Sequence, residues 1–252
     1  PYPQMQSFGH SLVILPCIKS TNNYAMARVH ARLTTHGTIY FALDQTEGKG
    51  QRGKQWKSEP GLNIMMSLVL EPHELRPSQT FLLNAAVSLA CLDFFASYAG
   101  EPTSIKWPND IYWDDRKAGG ILIENLIHGP AWLYAVVGIG ININQIHFPD
   151  PVPNAISLKQ ITGKDYDLNV LVAELTAFLE KRYSQLITNA GEAILEEYRS
   201  RLFRLNEPVR LKKDNIVFEA FVRSVSSQGK LIVERGFEQE FDFGEVEWLG
   251  LR

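Results

Sequence analysis

The chain has 252 residues, of which 45% are hydrophobic and 21% are charged, a composition typical of one large globular domain with a small second one. The formal net charge of −3 excludes a general electrostatic attraction to nucleic acid or to an anionic membrane. Two cysteines, Cys17 and Cys91, are too few for a disulfide scaffold or a four-cysteine zinc site, so we expect buried free thiols. Because no apolar run reaches the roughly 18 residues of a membrane span and the first residues lack a signal-peptide pattern, we expect a cytoplasmic protein.

The first predicted elements are a strand over residues 12–15 and a helix over residues 20–33. Ser20, Thr21 and Asn22 are residue types that cap a helix start. Their side chains also lie where the first backbone N–H groups of the helix point, which suits a small polar ligand. Both interpretations, cap and ligand site, stay open at this point.

A predicted strand over residues 38–43 leads into a loop over residues 44–56 that contains Gly48, Gly50 and Gly53. Glycines let the backbone turn tightly and bring its N–H groups close to a ligand. Three cations, Lys49, Arg52 and Lys54, lie in this loop, and a fourth, Lys57, follows it directly. This chemistry is suited to holding an anion, with Trp56 offering a flat face to a base, although a solvated surface hairpin would have the same composition.

The loop partly matches several nucleotide-binding patterns. The glycine spacing fits a dinucleotide-binding motif, and it fits a P-loop except that Gln55 stands where Ser or Thr is required. Both motifs must open a helix, but residues 62–70 have the length and apolar pattern of a strand. A kinase glycine loop also joins strands, yet no H-R-D motif precedes the D-F-G at residues 242–244. The loop is therefore predicted to join two strands.

A long apolar helix is predicted over residues 77–98, followed by a bent segment over residues 104–113. Pro108 cannot continue a central strand, so Lys106, Asn109 and Asp110 are expected near one point. A carboxylate beside a phosphate site is a suitable magnesium ligand, and an Asn-Asp turn that bonds to itself is the equal alternative.

Lys117 precedes two glycines and a predicted strand over residues 121–124, so this lysine either reaches into a site or is exposed. Residues 132–143 form an almost continuous apolar run, as in a strand covered on both faces. Asn142 interrupts this run, and a nucleobase edge or a backbone group would satisfy its amide.

The sequence pattern changes in the C-terminal part, from helical periodicity to short strands separated by turns. Residues 148–154 are predicted to form a loop, residues 157–161, 168–186 and 192–205 helices, and residues 206–252 a small barrel of short strands. The predicted domains are therefore 1–205 and 206–252.

The order of motifs resembles that of biotin protein ligases, of the short form without an N-terminal DNA-binding domain. The motifs are Ser20-Thr21-Asn22, Gln45, Gly48-Lys49-Gly50-Gln51-Arg52-Gly53, Trp56, Lys106-Trp107-Pro108-Asn109-Asp110, Lys117-Ala118-Gly119-Gly120-Ile121-Leu122 and Gly138-Ile139-Gly140-Ile141-Asn142. The resemblance implies an α+β fold like class II aminoacyl-tRNA synthetases, with a mixed sheet and helices, and a small SH3-like C-terminal barrel. It also implies two steps: biotin and ATP give biotinyl-AMP, and a lysine of a biotin carboxyl carrier protein then takes the biotinyl group.

Residue roles carried over from the resemblance form three groups. Biotin binding falls to Ser20, Thr21, Asn22, Gln45, Gly48, Lys49 and Gly119. ATP and adenylate binding falls to Gly50, Arg52, Trp56, Asn109, Lys117 and Asn142. Arg52, Lys117 and Asp110 are the expected catalytic groups, with Asp110 as the ligand of Mg²⁺. Gln51 departs from the arginine frequent in the family and cannot offer a guanidinium to the adenylate.

Two alternatives accompany this interpretation: a lipoate protein ligase, which shares the fold and adenylate chemistry, and a biotinyl-AMP-binding protein without catalysis. No helix-turn-helix precedes Leu12 and the net charge is negative, so neither DNA nor a membrane is an expected partner. Sheet edges can pair, so a homodimer is one expectation and a monomer the other. The self-repelling loop is expected to be mobile when empty and to be ordered by biotin before ATP binds.

Overall fold

A computed structural model describes residues 7–148, 154–188 and 190–250. Within these ranges, seven strands form one sheet in the order β1-β2-β3-β7-β6-β5-β4. The strands are β1 Leu12–Leu15, β2 Ile39–Ala42, β3 Asn63–Leu70, β4 Thr103–Lys106, β5 Asp110–Trp113, β6 Arg116–His128 and β7 Ala131–Asn142. Strands β1 and β2 are parallel and the other neighbours are antiparallel, so the sheet is mixed.

The centre of the sheet is covered on both faces. Every residue of β3 is buried, which explains why six of its eight residues are apolar and why the sequence does not alternate. The helices are α1 Thr21–His30, α2 Thr80–Ala99, α3 Leu158–Thr162, α4 Leu168–Ile187 and α5 Gly191–Ser200. Helix α1 packs through Ala25 and Val29 on Tyr40, Val69 and Val136, in a cluster separate from the main core.

Helix α2 is the central helix of the main core. Leu89, Phe94 and Phe95 are fully buried, and Cys91 is buried beside them as predicted. By length and composition the segment Pro77–Ala99 could cross a membrane, but 61% of its apolar window is buried inside the fold, as expected of a core helix. Arg182 of α4 donates to Asp93 of α2 at 2.8 Å, which ties the two helices together.

A second, antiparallel sheet follows the helices, with strands in the order β11-β10-β9-β8-β12. Its strands are β8 Pro208–Lys213, β9 Ile216–Val225, β10 Leu231–Glu234, β11 Glu238–Phe241 and β12 Glu247–Leu249. The segments that connect the strands join the two sheets: Trp107, between β4 and β5, donates its indole N–H to the carbonyl of Gly229, between β9 and β10, at 2.9 Å. The predicted fold class is confirmed, while the boundary at residue 205 stays a prediction.

Three expectations differ from the structure or fall outside it. Helix α5 ends at Ser200, five residues before the predicted end, and Arg204 and Asn206 then have left-handed backbone with φ of 59° and 61°. The expected burial of both cysteines is wrong for Cys17, which is exposed and donates its thiol to Asp44 at 3.3 Å. The loop predicted over residues 148–154 lies mostly outside the described residues.

Candidate functional site

Polar side chains converge where α1 begins. The Ser20 hydroxyl caps the helix by accepting from the Asn23 N–H at 3.4 Å. The backbone N–H of Thr21, the first residue of the helix, donates to the Gln45 side-chain oxygen at 2.7 Å. Gln45 is held there because Ile18 pairs with it in parallel, extending the β1–β2 pairing. The start of α1 is therefore compatible with both predicted roles. Ser20 caps the helix, and Thr21 and Gln45 are held side by side as polar groups that a ligand could contact.

Asn22 and Thr21 share a fully buried partner, Ser67, in the middle of β3. The Ser67 hydroxyl lies 2.6 Å from Asn22 Oδ1 and 2.8 Å from the Thr21 hydroxyl. Because Asn22 Oδ1 can only accept, Ser67 gives its proton to Asn22, and the Thr21 hydroxyl is the donor in the other contact. The Asn22 amide donates in turn to Glu124 Oε2 at 2.8 Å. These four side chains form one fixed polar network between α1, β3 and β6.

The glycine loop is a short hairpin rather than an open loop. Trp56 N–H donates to the Gly48 carbonyl at 2.8 Å, and Gly50 N–H donates to the Lys54 carbonyl at 2.7 Å. A single 3₁₀ turn, Gln51–Gly53, closes its tip. A side chain at Gly48 would overlap the Trp56 carbonyl, so this pairing requires glycine. The prediction that the loop joins two strands is confirmed, since β2 precedes it and β3 follows it.

The hairpin folds back over the centre of the larger sheet. The Trp56 ring lies against Gly140 of β7 so closely that a Cβ there would be 2.6 Å from Cε2 of the ring. Lys49 forms an ion pair with Glu124 of β6 at 3.3 Å. Glu124 thus links the hairpin to the Asn22 network through its two oxygens.

A cationic cluster surrounds Asp110. Lys117 Nζ is 2.7 Å from Asp110 Oδ1 and 5.9 Å from the centre of the Trp56 ring. Lys106, paired with Asp110 across β4 and β5, donates to the Tyr112 hydroxyl at 3.3 Å. Burial lowers the pKa of Lys106 to about 8, and repulsion by Lys117 and Lys54 adds to this effect. With the Lys117 ammonium on the Asp110 carboxylate and Lys106 opposite Asp110 on the next strand, cations outnumber the carboxylate, which favours a polyanion.

The two asparagines predicted at the adenylate both use their amide N–H groups on the backbone. Asn109 donates to the Ile121 carbonyl, and Asn142 donates to the Ile156 carbonyl at 3.1 Å and the Lys117 carbonyl at 3.3 Å. These bonds fix the strand that carries Lys117. Gly119 packs against β7, where a Cβ would lie 2.9 Å from the Gly140 carbonyl. A positioning role for both asparagines follows from these contacts.

Arg52 points away from this cluster. Its guanidinium Nη1 donates to the Gly244 carbonyl of the small sheet at 2.8 Å. The structure thus brings together Ser20, Thr21, Asn22, Gln45, Gly48 and Lys49 at one end, and Trp56, Asp110, Lys117 and Gly119 at the other. Arg52 and the hairpin tip, which carries Gly50, lie at the border with the small sheet.

Sequence reasoning missed two residues of the site, Ser67 and Glu124, and although it placed Lys106 near Asp110, it did not indicate the lowered pKa of that lysine. The signals were present for the first two, because each is a polar residue inside an apolar strand run. Among the described residues, no group of three or more His, Cys, Asp or Glu side chains could hold a metal ion alone. A magnesium ion at Asp110 would therefore have to share its other ligands with a phosphate and water.

Comparisons with known proteins agree with this geometry. The family model described as Biotin/lipoate A/B protein ligase matches residues 14–142, about half of the chain. The chain is 31% identical to the bifunctional ligase/repressor BirA of Escherichia coli K12, in a match covering 94% of this chain and 74% of that protein. It is 30% identical to the biotin--[acetyl-CoA-carboxylase] ligase of Mycobacterium tuberculosis, covering 86% of this chain and 80% of that one.

The fold comparison gives the same answer. The biotin protein ligase from Aquifex aeolicus, solved in complex with biotin and ATP, superposes with a TM-score of 0.79 at 25% identity, over 95% of this chain and 98% of that one. The chain therefore belongs to the biotin/lipoate A/B protein ligase family. Within it, these relatives place the chain in the biotin protein ligase family.

Proposed function

We propose that this protein activates biotin with ATP to biotinyl-5′-AMP and transfers the biotinyl group to a lysine of a biotin carboxyl carrier protein. One observation carries the proposal: the fixed polar network at Thr21, Asn22 and Ser67 and the Asp110–Lys117 ion pair lie under the same glycine hairpin. The neutral, polar ureido ring of biotin suits the uncharged hydrogen-bonding network. The phosphates of ATP suit the end that carries Lys117.

At the biotin end, the proposed contacts come from the helix start and the base of the hairpin. The Thr21 hydroxyl donates its proton to Ser67, so its two lone pairs stay available to accept from a ureido N–H. The Gln45 side-chain oxygen already accepts from Thr21 N–H, which leaves its NH₂ group to donate. The full proposed set is Ser20, Thr21, Asn22, Gln45, Gly48 and Lys49 at this end, together with Gly119, which lies against Gly140 and would contact biotin from the nucleotide side.

At the nucleotide end, Lys117 is the proposed partner of the reacting phosphate and acyl oxygens. Trp56, fixed over Gly140, offers its ring to the adenine, and Asn109 and Asn142 hold the strands that frame it. Gly50 and Arg52 belong to the hairpin tip that approaches the phosphates. Asp110 fits Mg²⁺ as one carboxylate ligand, and the ion when bound would neutralise phosphate charge.

The chemistry needs no nucleophile from the protein. A biotin carboxylate oxygen attacks the α-phosphorus of ATP, the bond to the bridging oxygen breaks, and pyrophosphate leaves. The carrier lysine amine then attacks the biotinyl carbonyl carbon, AMP leaves with the bonding electrons, and the amine loses a proton. The site's groups act by orienting the reactants and stabilising charge on phosphate.

The test compares biotin with lipoate in ATP–pyrophosphate exchange, because a lipoate ligase is the nearest alternative. Biotin-dependent exchange with little response to lipoate is the expected result. ATP–pyrophosphate exchange that responds only to lipoate would indicate a lipoate protein ligase. Binding of biotinyl-AMP without any exchange would favour the non-catalytic alternative. A cytoplasmic location, the absence of DNA binding and a homodimer stay predictions, and a salt-dependent mobility shift on DNA would contradict the second of these.

A further inference from the structure

Arg52, at the tip of the glycine hairpin, contacts a part of the chain 192 residues away. Its backbone is left-handed, with φ of 54° and ψ of 41°, which turns the side chain out of the hairpin. Nη1 then donates to the Gly244 carbonyl at 2.8 Å. Arg52 thus ties the tip of the glycine hairpin to the turn between β11 and β12.

Gly244 is shaped for this contact. Its φ is 87°, and a Cβ built there would overlap Cζ and Nη1 of Arg52 and lie 2.9 Å from Nε. Gly236, in the same small sheet, has a similar φ of 75°, but a Cβ there would meet nothing within 4 Å. Gly244 and Gly236 therefore have similar backbone conformations. Only Gly244 has a neighbouring guanidinium, that of Arg52, in the space that a side chain would occupy.

Residues 242–245, which we name the anchor turn, contact both the small sheet and the segment before β5. Asp242 N–H donates to Glu245 Oε2 at 2.7 Å, and Glu245 pairs with Lys213 at 3.1 Å. Phe243 packs edge-on against Trp107, with ring centres 5.8 Å apart. The anchor turn is thereby joined both to the small sheet and to the segment that carries Asp110.

We propose that the anchor turn is the resting dock of the empty glycine hairpin, and that Arg52 exchanges the Gly244 carbonyl for phosphate oxygens when ligands bind. A carbonyl is a neutral acceptor that takes one N–H of the guanidinium. An ionised phosphate takes two in parallel and adds charge attraction, so it outcompetes the carbonyl. The first part of this proposal, the dock, depends only on the Arg52–Gly244 contact. The second part, the exchange for phosphate, rests on the proposed function.

The test is limited trypsin digestion of the full chain, following cleavage after Lys54 by mass spectrometry. Without ligands, Gly244→Ala is expected to raise the cleavage rate about three- to tenfold, the range that one exposed hydrogen bond supports. Gly236→Ala is the matched control, because it introduces the same left-handed strain without touching Arg52, and it should keep the wild-type rate. Arg52→Gln removes the donor from the other side and should match Gly244→Ala.

Addition of saturating biotin, ATP and Mg²⁺ tests the exchange. All variants that keep Arg52 should then be cleaved at the same slow rate, because the ligand holds the guanidinium. Equal cleavage of Gly244→Ala and Gly236→Ala without ligands would overturn the dock. Faster cleavage of Gly244→Ala that persists with ligands would overturn the exchange. Ligands that protect no variant, including the wild type, would contradict the proposed function while the ligand-free comparison still decides the dock.

Discussion

Ser67 gives the sharpest prediction about how the site is built. Its hydroxyl is fully buried and contacts Asn22 Oδ1 at 2.6 Å and the Thr21 hydroxyl at 2.8 Å. Ser67→Ala removes both hydrogen bonds and leaves their partners unpaired. At about 0.5–1.5 kcal/mol for each bond, the free energy of unfolding should fall by about 1–3 kcal/mol. For a chain of this size, a loss of about 2 kcal/mol lowers Tm by about 4–8 °C.

Ser88 provides a matched control in the same core. It is also fully buried, on α2, but its hydroxyl has no hydrogen-bond partner among the residues that the structure describes. Ser88→Ala therefore removes an unpaired polar atom, and stability should stay the same or rise. Urea unfolding followed by circular dichroism measures both variants. Unfolding free energies of the two variants within about 0.5 kcal/mol of each other would refute the network argument.

The Ser67 variant also separates stability from binding. Because Thr21 and Asn22 lose the partner that orients them, KM for biotin should rise about tenfold, equivalent to about 1.4 kcal/mol, while KM for ATP stays close to wild type. Steady-state pyrophosphate release at varied biotin concentration gives the first value, and varied ATP gives the second. A rise in both values by the same factor would indicate general loosening of the fold instead of a local role at the biotin end.

Three further predictions concern other parts of the molecule. Gly140→Ala places a Cβ 2.6 Å from Trp56 and should raise KM for ATP. Adding Trp56→Phe to this variant should partly restore KM, and no restoration would show that the effect does not pass through Trp56. Burial lowers the pKa of His36 below its ordinary value of 6.5, so the unfolded state binds more protons and stability should fall as pH drops below about 6.5. His36→Phe should lose this part of the pH dependence in urea unfolding, and an unchanged slope would contradict it. Lys117→Ala should abolish adenylate formation while circular dichroism stays unchanged, and near-normal pyrophosphate release would remove Lys117 from the site.

Much of the fold was predictable because its signals are local. The apolar run of β3, the apolar composition of α2 and the short alternating strands after residue 206 each follow from patterns within one segment. The end of α5 was missed because helical periodicity continues past Ser200, where contacts elsewhere end the helix. One such contact is the Phe203 N–H, which donates to the Ile105 carbonyl of β4 at 2.8 Å.

The site was predictable only where motifs carried it. Ser67 and Glu124 belong to the site because they meet Asn22 across 45 and 102 residues of chain, and no local pattern encodes such distances. The contact between Arg52 and Gly244 was not predictable for the same reason, since the two residues are 192 positions apart. Residue types predicted the chemistry of the site, while tertiary pairing decided which side chains build it.

The most direct test of the central claim is the intact mass of a biotin carboxyl carrier domain after incubation with this protein, ATP, Mg²⁺ and biotin. The proposed function predicts the added mass of one biotinyl group, dependent on ATP, and no addition to a carrier whose acceptor lysine is replaced by arginine. An unchanged carrier mass with biotin, or modification only when lipoate replaces biotin, would contradict it.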